Sequence, residues 1–429
     1  MTMTAPSVGT SVGRPATRRG WRLLLSASAV STVGDGALLA ALPLLAATMT
    51  TDPRLIAGVT AWGTLPWLLT ALPAGAYVDR ADARRAMVGV QIVQALLLAS
   101  LAALTMARTG SIVLLYAIAF GVGVAETVAK VAGQKLVPAL VPDEHLERAN
   151  GRQNAVFFTT HQFIGPPVGA LLFTFATALP FWVDAATFAI SAALVARIAV
   201  ETRPRGGQRR PLRGDIVEGL RWLARHRLIR TLSLLSAAAN LASFMAVPTL
   251  VLFARQRLGL DEIGYGVLVA LMAAGGVCGG LLSDRLVARF GGRAVATMTI
   301  FTTPAAMICI GLFGSNLPIV ATLATVTSFG ASLWNVAVGS LRQRTVPVEL
   351  LGRVSSAGLL VAWGVQPVGA VLGGLVAGWF GLAAPWLVAG AIRLVAATVA
   401  LPTLRQWDKR RGDVVTHRLP VDNHPDRPQ

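Results

Sequence analysis

Asp35, Glu126, Lys130 and His161 are ionisable residues in the interior of long apolar runs. Charge is costly at the depth of a bilayer, so groups kept there mark routes for protons, ions or solutes. A carboxyl group in a water-poor cavity is suited to proton exchange within a useful pH range. Asp35 and Glu126 are therefore candidates for proton coupling; the competing reading is a carboxylate hydrogen-bonded between helices. Lys130 follows Glu126 by one helical turn, in the order that favours a pair. It neutralises Glu126, reaches for the interface with its long stem, or joins the proton exchange, and all three readings stay open. In a tight pair, Asp35 becomes the better proton carrier. His161 titrates near neutrality and is the fourth proton-coupling candidate, against the plainer reading of a hydrogen bond to a neighbouring helix. Asp184 and Arg393, also within apolar runs, are read as structural contacts.

The elements that must hold these groups are membrane helices. Of 429 residues, 54% are hydrophobic and 14% charged, too little charge to cover a soluble surface of this size. Apolar runs of about 20 residues recur from end to end, each long enough to cross the hydrocarbon core. A β-barrel would show short alternating segments instead. The predicted spans are 22–48, 55–78, 86–106, 112–136, 155–176 and 179–199, then 230–254, 263–288, 294–313, 317–339, 356–380 and 383–402. The fold class is all-α and polytopic: twelve transmembrane helices in two pseudo-symmetric halves, 21–199 and 230–403. A cytoplasmic tail over 1–20, a linker over 200–229 and a second tail over 404–429 complete the organisation. Both tails are polar and proline-containing, and are expected to be disordered.

The net charge of +18 invites nucleic-acid binding, but the basic residues fall in alternate loops, the positive-inside pattern of a multi-pass cell-membrane protein with both termini cytoplasmic. No nucleic-acid partner is expected. The first apolar run is too long for a signal-peptide core and contains Asp35, so it is read as a retained span. Cys278 and Cys309, both in apolar runs, offer no disulfide framework. Trp62, Trp67, Trp379 and Trp386 are read as interface anchors or packing residues. In the linker, Ile216, Leu220 and Leu223 share one helical face while Arg221 and Arg225 point elsewhere, which predicts an amphipathic helix on the cytoplasmic interface.

The chain also repeats itself. Gly75, Asp79 and Arg80, in a charged turn between the second and third spans, recur 205 positions later as Gly280, Asp284 and Arg285. Ser31, Asp35 and Pro43 match Ser236, Asn240 and Pro248 at the same distance, and Pro142, Glu144, Leu146 and Arg148 match Pro347, Glu349, Leu351 and Arg353. Past these the offset falls to 200, pairing Pro167-Val-Gly-Ala170 with Pro367-Val-Gly-Ala370. A parallel repeat of six spans is an architecture of secondary transporters, with the site at the midplane between repeats.

Those residues resemble the major facilitator superfamily. Gly75-x-x-x-Asp79-Arg80 followed by Arg84 and Arg85 is similar to its loop motif between spans two and three, with Ala83 where an arginine is common. The resemblance implies that Asp79, with Gly75, Arg80 and Arg84, helps hold a cytoplasmic gate against the start of the eleventh helix. A carboxylate is favoured at such a positive helix end. Gly280, Asp284 and Arg285 would do the same against span five. Gly165-Pro166-Pro-Val-Gly169 resembles the fifth-span Gly-Pro motif of drug–proton antiporters, in which glycines permit close packing and proline bends the helix. With Gly34-Asp35, the stretch ending at Asn150 and the linker helix, the match is to the twelve-span group containing macrolide-efflux proteins and the enterobactin exporter.

In that fold spans one, four, seven and ten line the cavity, so Asp35 and Glu126 should face it. Ser31, Ser236, Asn240, Ser243, Trp334 and Asn335 become candidates for touching a solute. Uncharged polar groups beside an aromatic suit a bulky, partly apolar one, although interhelical hydrogen bonding serves equally for the serines.

Enzymes are not indicated. No phosphate-binding glycine loop with a following Lys-Ser/Thr is present, and no His/Cys/Asp cluster has metal spacing. Neither a cofactor nor a catalytic residue is expected. The expectation is a monomeric, proton-coupled exporter of a hydrophobic or amphipathic small molecule, with protons and the lipid bilayer as its other partners. A siderophore exporter or nutrient importer of the same fold is the alternative within transport. A non-transporting receptor or lipid-handling protein is the alternative outside it.

Overall fold

The computed structural model describes residues 15–199 and 212–404, and their regular structure is helical throughout. The chain runs through α1 (Pro15–Met49), α2 (Pro53–Arg80), α3 (Ala83–Met106), α4 (Ile112–Leu140), α5 (Leu146–Phe157), a π-helical segment (Phe158–Ile164), α6 (Gly165–Phe175) and α7 (Leu179–Ala196). It continues with α8 (Leu212–Arg225), α9 (Arg227–Ala246), a 3-10 turn (Val247–Thr249), α10 (Leu250–Gln256), α11 (Glu262–Phe290), α12 (Gly292–Leu312), α13 (Leu317–Thr345), α14 (Val348–Trp363), α15 (Gln366–Phe380) and α16 (Ala384–Leu404). Ten of these stretches are long and apolar enough to cross a membrane. α2 and the α5–α6 stretch fall short, the first interrupted by Gly, Pro and Thr, the second opening on Asn150, Arg152, Gln153 and Asn154.

Short connections are closed by side-chain caps. Asp52 accepts from the Arg54 backbone N–H at 2.8 Å, Asp82 from that of Arg85 at 2.9 Å, and Asp261 from that of Gly264 at 2.8 Å. Each satisfies an amide that a helix start leaves open. Prolines explain the three interruptions. Pro166 and Pro167 lack the N–H that an α-helix needs, and the Gly165 N–H reaches back five residues to Thr160, a π-type bond. Pro248 stands in the 3-10 turn between α9 and α10, and Pro367 just inside α15 after the break at 364–365.

Several expectations need correction. The charged stretches at 75–80 and 280–285 are not turns: both are helical, and the chain turns at 81–82 and at Gly291, whose φ of 83° ends α11. Glycine adopts that left-handed backbone without a Cβ penalty. α1 already includes residues 15–20, inside the predicted tail. α9 begins at Arg227, capped by His226, whose Nδ1 accepts from the Ile229 N–H at 3.3 Å. The remaining tail residues and 200–211 lie outside the described residues.

Packing partners recur along the chain. α2 packs on α4 as α11 packs on α13; α3 on α7 as α12 on α16; α1 on α7 as α9 on α16; α1 on α6 as α9 on α15. The most extensive contacts between the earlier helices and the later ones are those of α2 with α15 and of α6 with α11. At one end a single apolar core takes Leu38, Leu44, Leu45 and Ala46 of α1 together with Phe173, Phe181, Phe253, Tyr265, Ile310 and Trp386. At the other end the core divides. One part gathers Leu24, Val78, Met87, Leu136 and Val195, the other Leu223, Leu232, Ile300, Val338 and Val354. The helices before and after the 200–211 segment therefore share apolar packing at one end and have separate cores at the other.

Candidate functional site

A cavity of about 650 Å³ lies among α1, α3, α4, α5, α7 and the end of α14, running from Asp35 toward the divided end past Val137, Leu146 and Gln153. Asp35, Glu126 and Lys130 all line it, as does Ser31. Helical spacing explains the α1 wall, because Ser28, Ser31, Thr32 and Asp35 fall on one face.

Behind Asp35 stands a second carboxylate. Asp184 of α7 is fully buried, and its Oδ1 accepts from the Thr187 hydroxyl at 2.9 Å. Its other oxygen is buried with no hydrogen-bond partner among the described residues. A Cβ on Gly34 would overlap the Asp184 carboxylate, so glycine at 34 lets α7 bring that group against the α1 backbone beside Asp35. Three carboxyl groups thus converge on one region from α1, α4 and α7.

Lys130 is not paired with them. The ion pairs between described residues join His145 to Glu144, Arg255 to Glu262 and Arg353 to Glu218. The Lys130 ammonium instead lies 4.3 Å from the ring centroid of Trp67 on α2 and 4.6 Å from that of Trp363 on α14. Phe157 stands 5.9 Å away, and the two indoles meet edge to face at 5.5 Å. Aromatic faces attract a cation, the more so when it is desolvated.

The α3 wall is polar. Gln91 donates to the Ser191 hydroxyl at 2.8 Å, and Ser191 donates to the Ala27 carbonyl at 3.1 Å, tying α3, α7 and α1 together. Gln94 is 1% exposed, and neither its amide nitrogen nor its oxygen has a partner among the described residues. His161 sits in the π segment, stacked on Phe157 at 4.6 Å, with its Nδ1 buried and without a hydrogen-bond partner among the described residues. In the same segment the Thr160 hydroxyl touches that of Thr32.

The other sequence candidates scatter. Trp334 is buried and donates to the Ser236 hydroxyl at 3.1 Å, while Asn240 donates to the Ser236 carbonyl at 2.9 Å. Gln366 reaches the Asn240 side-chain oxygen at 3.5 Å. The Trp334 and Gln366 bonds join helices and the Asn240 bond lies within α9; neither these residues nor Ser243 and the exposed Asn335 line the cavity. Arg84 donates to the Ile198 carbonyl beyond α7 at 2.9 Å, bracing α3 against α7. Arg80, Gly280, Asp284 and Arg285 are exposed, and Gly75 is half-buried. The side chain of Asp79 lies outside the described residues. Gly165 meets the backbone of Gly36, and Gly169 that of Ala37, so the Gly-Pro stretch, with Pro166 buried, does pack α6 closely on α1.

Of the tryptophans, Trp62 and Trp379 are exposed and Trp386 is core, as an anchor-or-packing reading expects, but Trp67 faces Lys130. Sequence reasoning missed Trp67, Trp363, Gln91 and Gln94 as site residues. Two glutamines three apart in an otherwise apolar run were an available signal. Arg393 lies near the Met307 sulfur, 3.9 Å from its guanidinium.

Comparison with known proteins places these features in a family context. The Major Facilitator Superfamily profile matches residues 24–357 and 232–421. A protein named Multidrug efflux pump Tap from Mycolicibacterium fortuitum is 28% identical over 415 residues, covering 91% of this chain and 98% of that one. A protein of the same name from Mycobacterium tuberculosis is 24% identical over 404 residues, covering 90% and 94%. Among solved structures, a mutant of the nucleoside transporter NupG matches with a TM-score of 0.71 at 11% identity, over 89% of this chain and 99% of that one. An inward-facing bacterial homologue of the iron transporter ferroportin matches at 0.66 and 15% identity, over 89% and 99%. At these identities the structural matches speak to the fold alone.

Proposed function

Because the chain belongs to the major facilitator superfamily, we propose that it is a proton-coupled exporter of a hydrophobic or amphipathic small molecule. It would work by alternating access in the cell membrane. The ten apolar stretches, α2 and the α5–α6 stretch make up twelve spans in this reading, arranged as six and six about the 200–229 linker. The recurring packing partners support that arrangement, and the alternate-loop charge supports cytoplasmic termini. The relatives named as multidrug efflux pumps cover nearly the whole chain and support export.

One observation carries the coupling: Asp35 and Glu126 line the cavity and, among the described residues, neither makes an ion pair with a basic group, although Lys130 is one turn from Glu126. In this reading the divided end faces the cytoplasm. Solute enters there and rests against the polar α1 and α3 walls. Opening of the opposite end then lets Asp35 or Glu126 take a proton from outside as the solute leaves. Return to the present state delivers the proton to the cytoplasm. The exposed Asp284 and Arg285 fit a gate that is disengaged while the cavity is open on their side.

The test uses purified protein in liposomes with an imposed pH gradient and a fluorescent amphipathic substrate. Asp35→Asn should abolish gradient-driven transport while binding and thermal stability persist. Proton-driven export retained in Asp35→Asn would remove Asp35 from the mechanism. Export that ignores the gradient in the unaltered protein would remove the coupling.

A further inference from the structure

Lys130 is the one lysine of the cavity wall, and its surroundings divide between two parts of the chain. Trp67 belongs to α2 and Phe157 to α5, whereas Trp363 closes the box from the last residue of α14. α14 is seated elsewhere, on α8 and α9. It belongs to the later core at the divided end through Val354, whereas Lys130 rides on α4 beside the earlier core. Any motion that shifts one of these cores against the other changes the distance between Lys130 and Trp363. The groups facing this region are Asp35 on α1, Glu126 on α4, Asp184 on α7 and His161 in the π segment; α2 and α14 contribute the two indoles.

We propose that Trp67 and Trp363 are positioning residues that hold the Lys130 ammonium away from Asp35 and Glu126 in this state and release it when the divided end closes or twists. An ammonium has two ways to be stabilised out of water here, aromatic faces or carboxylates. While the indoles hold it, the ammonium makes no direct ion pair with the carboxyl groups, which can then carry a proton. When Trp363 moves off, the ammonium turns to the carboxylates one helical turn away and displaces that proton. Lys130 thus reports the conformation of the chain to the proton-carrying groups. The inference rests on the proton-coupled reading above for its consequence, but the box itself is testable without transport.

The first arm uses full-length protein labelled with 5-fluorotryptophan, in detergent, with the resonances of 67 and 363 assigned by Trp67→Phe and Trp363→Phe. Lys130→Gln should move both resonances; resonances that stay in place overturn the box. The second arm measures pH-gradient-driven efflux. Trp363→Leu should shift the pH of half-maximal efflux acid by about one unit, since a freed ammonium favours ionised carboxylates. Trp363→Phe, which keeps an aromatic face, should restore the original profile. In a Lys130→Gln background Trp363→Leu should leave the profile where it is. An equal shift with and without the lysine would make Trp363 a packing residue and overturn the proposal. Resonances that move in a protein showing no gradient-driven efflux would count against the coupling proposed above while leaving the box standing.

Discussion

Asp184 of α7 lies directly against Gly34 of α1, so that the carboxylate occupies the space a Cβ at 34 would take. The approach brings a fully buried carboxyl group beside Asp35, the residue that follows in α1. Gly34→Ala should therefore push α7 from α1 at a cost of about 1–3 kcal/mol, the usual range for an overpacked interior. Thermal unfolding in detergent measures the loss. Asp184→Ala in the same chain removes the nearest clashing atoms and leaves only the Thr187 hydroxyl close to the new methyl, so the double variant should be less destabilised than Gly34→Ala alone. A double variant whose losses simply add would mean that the two residues do not meet.

Ser236 and Trp334 were candidates for touching solute, and the structure gives them to each other. Losing that hydrogen bond, by Ser236→Ala, should cost about 1 kcal/mol of stability. Substrate selectivity should not change, since neither residue lines the cavity. Competition among a panel of substrates checks the second half of this expectation. A reordered panel would return Ser236 to the binding surface.

Much of this was legible in the sequence, and the boundary has physical causes. Apolar run lengths announced the helices because a bilayer fixes how long a span must be. Asp35 and Glu126 announced themselves because charge in such a run is costly. The 205-residue repeat foreshadowed the recurring packing partners. Trp67 and Trp363 stayed hidden because an indole in an apolar span ordinarily only packs, and their meeting over Lys130 depends on the packing of three helices. Gln94 was passed over for a related reason: an amide acquires meaning only once its neighbours are known to leave it unpartnered. The charged stretches looked like turns because charge punctuates apolar runs, yet no residue there breaks a helix. Gly291, farther along, does so.

The predicted amphipathic helix has a more specific seat than a membrane surface. Gly219 of α8 meets the Arg353 backbone, Leu223 is buried, and Glu218 pairs with Arg353 at 3.0 Å. Both charged side chains are partly exposed, 43% and 31%, so the pair itself is worth less than about 1 kcal/mol. The glycine contact matters more, because backbone cannot move aside for a side chain. Glu218→Ala should leave α8 protected from protease, and Gly219→Leu should expose it to cleavage. Equal protection in both variants would place the anchoring elsewhere, on Leu223.

Pro166 sets the position of the π segment by removing the amide that would continue an α-helix, and the Gly165 N–H turns to Thr160 instead. That wide turn carries Thr160 against Thr32 and places His161 on Phe157. Pro166→Ala restores an amide donor and allows the stretch to tighten into an α-helix, which rotates Thr160 away from α1. Cysteines at 32 and 160, in a chain whose Cys278 and Cys309 are serine, should cross-link readily with Pro166 present and several-fold more slowly in Pro166→Ala. Transport should fall in parallel while the protein remains folded, because α1 carries Asp35 one turn from Thr32. Unchanged cross-linking would show that the neighbouring Pro167 is sufficient to hold the segment, and would move the role to that residue.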